Sequence, residues 1–260
     1  MWQREEVSSR VALVTGVGRL RGIASAVFVG LAEDGWDVAG VYLSGYDDRM
    51  PWGRDDDCQA TLAESVTGLG RRYLSIEADL SDPDAPGDVF ERAEAELGPI
   101  QALAIAHTES VNSGLLDTTV ESLDRHYAVN VRSTWLLIKA FGERFRGAPG
   151  SGRVVTFTSD HVVGNVPYGA TKAAADRVTA AAAYELAQLG ITSNAINPGP
   201  VDTGWMNDDH RAHAASKTPL SRHGTTEDAA NLVRFLCSPK GGWINAQLLY
   251  SNGGFTSTIE

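Results

Sequence analysis

Strand-length apolar runs alternate with helix-length amphipathic stretches along almost the whole chain. The strand-like runs are "RVALVTG" (Arg10 to Gly16), "DVAGVYL" (Asp37 to Leu43), "RRYLSIEADL", "IQALAIAH", "GRVVTFTS", "ITSNAIN" and "AQLLYS". Helical spacing fills the gaps in "GIASAVFVGLAEDG", from Cys58 to Leu69, in "DAPGDVFERAEAELG", from Val120 to Phe145, and in "PYGATKAAADRVTAAAAYELAQLG". A helix between two strands is long enough to carry the chain back, so neighbouring strands run parallel and both sheet faces are covered. The expected class is α/β, a doubly wound seven-stranded parallel sheet forming one domain over residues 1–260. No repeat, low-complexity tract or composition break marks a linker. The two most polar stretches, 44–57 and 207–226, are read as loops over a site, with a substrate-loop region at about 200–226.

Charge and apolar run length exclude several classes of function. With 22 basic and 33 acidic side chains the net charge is −11, which opposes binding to nucleic acid or to an anionic membrane surface. No stretch approaches the roughly 20 apolar residues of a membrane span. The first ten residues, "MWQREEVSSR", hold no apolar leader, so a cytoplasmic protein is expected. Cys58 and Cys237 form neither a disulfide framework nor a metal pattern. His210, His213 and His223 are spaced irregularly and lack partners, so no metal site is expected.

The loop "TGVGRLRGIA" (Thr15 to Ala24) joins the first strand to the first helix. In open α/β sheets that position lets backbone N–H groups and a helix N-terminus meet a phosphate. Gly16 makes the turn, and Gly22 with Ala24 allows close helix packing.

With these features the whole chain, from about Arg10 to Phe255, resembles the short-chain dehydrogenases/reductases, which have a Rossmann fold. Their usual loop is Thr-Gly-x-x-x-Gly-x-Gly. Here five residues, Val17 to Arg21, separate Gly16 from Gly22, and Ala24 replaces the last glycine. That longer form is similar to the loop of the enoyl-acyl-carrier reductases, a divergent branch. The resemblance implies a dinucleotide held by Gly16, Arg19, Arg21, Gly22 and Ile23. Asp79 and Leu80 would lie at the adenine. Pro198, Gly199, Val201 and Thr203 of "NPGPVDTGW" would flank the nicotinamide. Strand four departs from the usual Asn-Asn-Ala-Gly ending and reads "IAHTES", which puts His107 against the cofactor and adds the titratable Glu109.

"YGATK" sets Tyr168 and Lys172 four apart on one helix face. In the family this pair performs the proton chemistry, and the lysine also holds the nicotinamide ribose. A nearby ammonium and an oxidised nicotinamide would both lower the phenol pKa from its ordinary ~10. Ser159 ends strand five and would hydrogen-bond the substrate oxygen. It precedes Tyr168 by nine residues, about four fewer than usual. Asn130 matches the asparagine that typically holds a proton-relaying water beside the lysine. Enoyl reductases carry their tyrosine seven residues before the lysine, where this chain has Asn165. Carbonyl chemistry is therefore favoured over enoyl reduction.

Strand two ends without the carboxylate that binds an unphosphorylated ribose, and Arg19 or Arg21 could pair with a 2′-phosphate. The expected cofactor is NADP(H), with NAD(H) possible. His161, Trp205 and Met206 are the candidate substrate contacts. The expected activity resembles that of a 3-oxoacyl-ACP reductase, interconverting a small-molecule ketone or aldehyde and its alcohol. Two alternatives stand beside it: an enoyl-type reductase on the same fold, and a non-catalytic dinucleotide-binding sensor. The resemblance also implies a homotetramer or homodimer.

Overall fold

The structure, a computed structural model, describes residues 10–161 and 163–255; the leader reading on residues 1–9 lies outside them. In chain order the elements are β1 (Arg10–Thr15), α1 (Ile23–Glu33), β2 (Trp36–Tyr42), α2 (Ser44–Asp47), α3 (Cys58–Gly68), β3 (Tyr73–Glu77), α4 (Ala85–Leu97) and β4 (Ile100–Ile105). Then come α5 (Val120–His126), a π-helical turn (Tyr127–Arg132), α6 (Ser133–Arg144), β5 (Gly152–Phe157), α7 (Val166–Glu185), β6 (Ile191–Asn197), α8 (Asp208–Lys217), α9 (Thr226–Cys237) and β7 (Leu248–Tyr250).

The seven strands of the described residues lie in one parallel sheet, ordered β3-β2-β1-β4-β5-β6-β7. The strand order reverses between β1 and β4, and ligands in such sheets sit beyond the strand ends at that reversal. Alternate residues of β1 feed the two cores. Ala12 and Val14 pack with Phe28, Leu31, Val233 and Leu236 under α1 and α9. Val11 and Leu13 pack with Phe90, Leu137 and Phe141 under α4 and α6. Sheet residues buried on both faces give continuous apolar runs, which is why the strands are legible in the sequence.

Two elements differ from the expectation. The stretch 207–226 is not all loop: Asp208–Lys217 is helical, with the Asn207 side chain accepting from His210 N at 2.8 Å. Asp208 and Asp209 in its first turn and Lys217 in its last suit the helix dipole. Its only buried residue is Ala214, so no apolar stripe revealed it. The long helix expected from Val120 to Phe145 is interrupted by the π turn, where the N–H of Ser133 reaches back to Ala128 O. Among the described residues no helix is long and apolar enough to cross a membrane, and no cluster of three or more His, Cys, Asp or Glu could hold a metal ion.

Candidate active site

The loop between β1 and α1 is built for close approach. Gly16 has φ +89°, and a Cβ there would lie 2.8 Å from His107 N and 2.9 Å from Ala106 C. Both the backbone conformation and the neighbouring strand end therefore demand glycine. Gly22 caps α1 without any side-chain cap, so the first N–H groups of the helix stay open toward the loop. Ile23 packs into the core below it.

The two loop arginines go to different places. Arg19 reaches the segment after β2: its Nε lies 3.6 Å from Asp47 Oδ1, and its guanidinium stacks 4.5 Å from the Trp52 ring centre. It also donates to Thr203 Oγ1 at 3.5 Å, reaching the segment after β6. Arg21 is two-thirds exposed and pairs with Asp202 at 3.6 Å on the segment after β6. Only Arg19 of the two lies by the β2 end, where a 2′-phosphate would be read. A third arginine there, Arg49, forms a two-pronged pair with the buried Glu109 at 3.0 and 2.7 Å. Arg125 adds Glu109 at 3.3 Å and Asp79 at 3.4 Å, tying the loops after β2, β3 and β4 together. Neither Arg49 nor Trp52 stands out in the sequence, because both lie inside a long polar stretch. Burial raises the Asp79 pKa less than the Ser81 hydrogen bonds and Arg125 lower it, so its carboxyl sits below the usual range. Leu80 beside it is buried.

His107 locks the end of β4. Thr15 Oγ1 lies 2.7 Å from its Nδ1, and Val129 O 2.9 Å from its Nε2. A carbonyl can only accept, so the imidazole carries its proton on Nε2 and takes one from Thr15 on Nδ1. Ser133 Oγ lies 2.7 Å from the same Nε2 and donates to Val129 O. The π turn frees that carbonyl from its ordinary helical partner, and two side chains take it up. Burial, with Lys172's charge behind it, pushes His107 down to about 4, so the ring is neutral.

Asn130, in the same π turn, spends its whole side chain inside the protein. Its Nδ2 donates to Glu109 O at 3.0 Å and Thr171 Oγ1 at 2.9 Å; its Oδ1 accepts from Glu109 N at 2.8 Å and Thr108 Oγ1 at 3.1 Å. Its backbone carbonyl, in the π turn, accepts from the Thr134 hydroxyl at 2.8 Å and keeps a second lone pair. In this structure Asn130 fastens the loop after β4 to α7.

Tyr168 and Lys172 project from α7 as the spacing implies. The ammonium of Lys172 is buried, lies 5.8 Å from the Tyr168 ring centre and donates to Phe157 O at 3.1 Å. Burial lowers its pKa to about 8. Burial raises the Tyr168 phenol, the nearby Ser159 hydroxyl pulls it back, and Asp160 and Asp176 push it further up. Without a nicotinamide beside it the phenol is thus held protonated. The reason is that desolvation outweighs the pull of Ser159. The short Ser159–Tyr168 connection still lets the two side chains meet. His161 is exposed, its N–H bonded to Ser159 Oγ at 3.1 Å.

After β6, Pro198 is buried and Gly199 adopts φ +64°, with Asn252 where its Cβ would be. Val201 is buried and bridges to Gly224. Trp205 is half exposed and its ring packs 5.7 Å from His210; Met206 is buried. Asp202 holds α8 through Arg211 at 2.8 Å.

The geometry agrees with the comparisons. A family model described as "Enoyl-(Acyl carrier protein) reductase" matches residues 16–256. An oxidoreductase of uncharacterised activity, YjdA of Bacillus subtilis, is 35% identical over 95% of this chain and 96% of its own. A Picea abies "short-chain type dehydrogenase/reductase" is 32% identical over 95% of this chain and 93% of its own. The chain belongs to the short-chain dehydrogenase/reductase family. Within this family, an Arabidopsis thaliana "NADPH-dependent aldehyde reductase-like protein" is 30% identical, covering 96% of this chain and 95% of the relative. A Burkholderia cenocepacia short-chain dehydrogenase solved with NADP aligns at TM-score 0.83 and 32% identity over 95% of this chain and 97% of that one. A metagenomic blue fluorescent protein solved with NADPH aligns at 0.85 and 28% over 97% of this chain and all of that one.

Proposed function

We propose that this chain is an NADP(H)-dependent carbonyl reductase, interconverting a ketone or aldehyde and its alcohol in the manner of the 3-oxoacyl-ACP reductases. The observation that carries the reading is the Tyr168–Lys172 pair on α7, the Lys172 ammonium buried 5.8 Å from the Tyr168 ring centre and Ser159 beside the phenol. Asn165, not a tyrosine, lies seven residues before the lysine, which opposes enoyl reduction. The NADP and NADPH of the solved relatives, together with Arg19 by the end of β2, support the phosphorylated cofactor.

The Gly16 turn and the uncapped start of α1 fit a pyrophosphate, and Arg19 a 2′-phosphate. Thr203 and Pro198 would flank the nicotinamide, which supplies the hydride when bound. Tyr168, held protonated by burial, gives its proton to the substrate oxygen. Ser159 holds that oxygen and the phenol in one hydrogen-bonded line. Lys172 stabilises the phenolate left behind. Trp205 and Met206, with the α8 segment latched by Asp202, would border the substrate.

The test is a titration with NADPH and with NADH, followed by turnover of aldehydes and ketones by wild type and Tyr168→Phe. Tighter NADPH binding is expected, and the variant should keep that affinity while losing roughly 10²–10⁴-fold in turnover. Full turnover by Tyr168→Phe would refute the mechanism. The matched family model and the long glycine loop favour enoyl reduction as the second reading. A 2-enoyl thioester reduced faster than a 3-oxoacyl thioester would replace the first reading by it.

A further inference from the structure

Asn165 ends the short connection from β5 and stands at the N-cap of α7. It is 3% exposed, so its amide is buried. Both amide hydrogens go to the loop after β4: Nδ2 donates to Ser110 Oγ at 3.0 Å and to Asn112 Oδ1 at 2.8 Å. The backbone joins the same loop, with Val166 N donating to Ser113 O at 3.0 Å. An asparagine at an N-cap ordinarily turns its oxygen onto the first N–H groups of its helix. Here no side-chain cap bond forms, and among the described residues Asn165 Oδ1 has no hydrogen-bond partner. The two donated hydrogens fix the plane of the amide, so the oxygen cannot turn to find one. A buried acceptor without a partner is costly, and native structures rarely keep one idle.

The open oxygen stands at the catalytic end of the sheet. Asn165 follows Ser159 by six residues and precedes Tyr168 by three. Helix side chains slant toward the N-terminus and cover the turn three to four residues earlier. The Tyr168 ring therefore leans toward Asn165, which puts the acceptor beside the phenol. The loop that fixes the amide is itself held. Asn130 bonds both backbone groups of Glu109, and Arg49 grips the Glu109 carboxylate.

We infer that Asn165 Oδ1 accepts a hydrogen bond from a hydroxyl of the substrate, and that the substrate is a hydroxylated ketone or aldehyde carrying that hydroxyl close to its carbonyl. The inference rests on the carbonyl-reductase reading. An amide oxygen only accepts, so its partner is a donor. The buried ammonium of Lys172 on the same helix opposes a cationic amine there, which leaves a hydroxyl. Tyr168 and Ser159 take the carbonyl oxygen. Asn165 takes the neighbouring O–H and so sets which way the carbon chain runs from the reacting carbon. An analogue with a methyl in place of the hydroxyl leaves the buried acceptor unpaired, and sites of this kind discriminate strongly against such analogues.

Hydroxyacetone and butanone are near-isosteric ketones that differ by a hydroxyl in place of a methyl; glycolaldehyde and propanal form the matching aldehyde pair. With NADPH, kcat/KM should be about 10–100-fold higher for the hydroxylated member of each pair. Asn165→Ala should abolish that preference. Asn165→Asp, which keeps an acceptor oxygen in place, should retain most of it. A side chain that merely held the loop after β4 would, when removed, lower both members of a pair by one factor. The inference is overturned by a wild type without preference, by equal losses on both members in Asn165→Ala, or by an Asn165→Asp that loses the preference as Asn165→Ala does. A wild type that reduces none of the four compounds defeats the carbonyl-reductase reading itself, whereas reduction without preference defeats the inference alone.

Discussion

His107 should make the fold sensitive to mild acid. Its imidazole is wedged between Thr15, Val129 and Ser133, with Nε2–H given to a carbonyl and Nδ1 accepting a hydroxyl. A second proton would have to break the Thr15 contact inside a buried site. The folded pKa is about 4, against about 6.5 for a free histidine. Because the folded value is depressed, the unfolded chain binds more protons between those limits, and stability falls as pH drops through that window. Lowering the pH from 7.5 to 4.5 protonates the unfolded histidine almost fully and the folded one about a quarter, a loss of roughly 2.5 kcal/mol from this residue alone. Urea unfolding of wild type and His107→Asn across that range isolates the contribution, because the other titrating groups are shared. The variant should be less stable at pH 7.5 yet lose about 2.5 kcal/mol less on acidification. Parallel pH dependences would refute the assignment of a neutral, locked His107.

Two further outcomes follow from the site. Gly16→Ala introduces a Cβ 2.8 Å from His107 N at φ +89°, and should cost well over the ~1–2 kcal/mol of left-handed backbone strain; NADPH affinity measured by fluorescence should fall more than tenfold. Lys172 is charged below its pKa of about 8 and neutral above it, so the pH profile of carbonyl reduction should fall off above about 8; a profile flat to pH 10 would remove the lysine from the mechanism.

The alternation of apolar runs and helical patterns by itself determined the parallel sheet and its strand count, because residues buried on both faces leave continuous apolar stretches that survive without any tertiary information. The glycine loop and the Tyr168–Lys172 spacing were legible for a similar reason: a backbone turn and one helix face are local properties, fixed by residues close in sequence. Helix α8 was not, since it buries a single alanine and owes its existence to an Asn207 cap and end charges. Nor could sequence show that Arg21 turns to Asp202 while Arg19 turns to Asp47 and Trp52, or that the Asn130 side chain turns inward to Glu109 and Thr171. Those partners lie up to 184 residues apart in the chain, as in the Arg19–Thr203 bond. The pKa of Tyr168 was likewise decided only by the fold. Without nicotinamide, the water excluded by packing raises it.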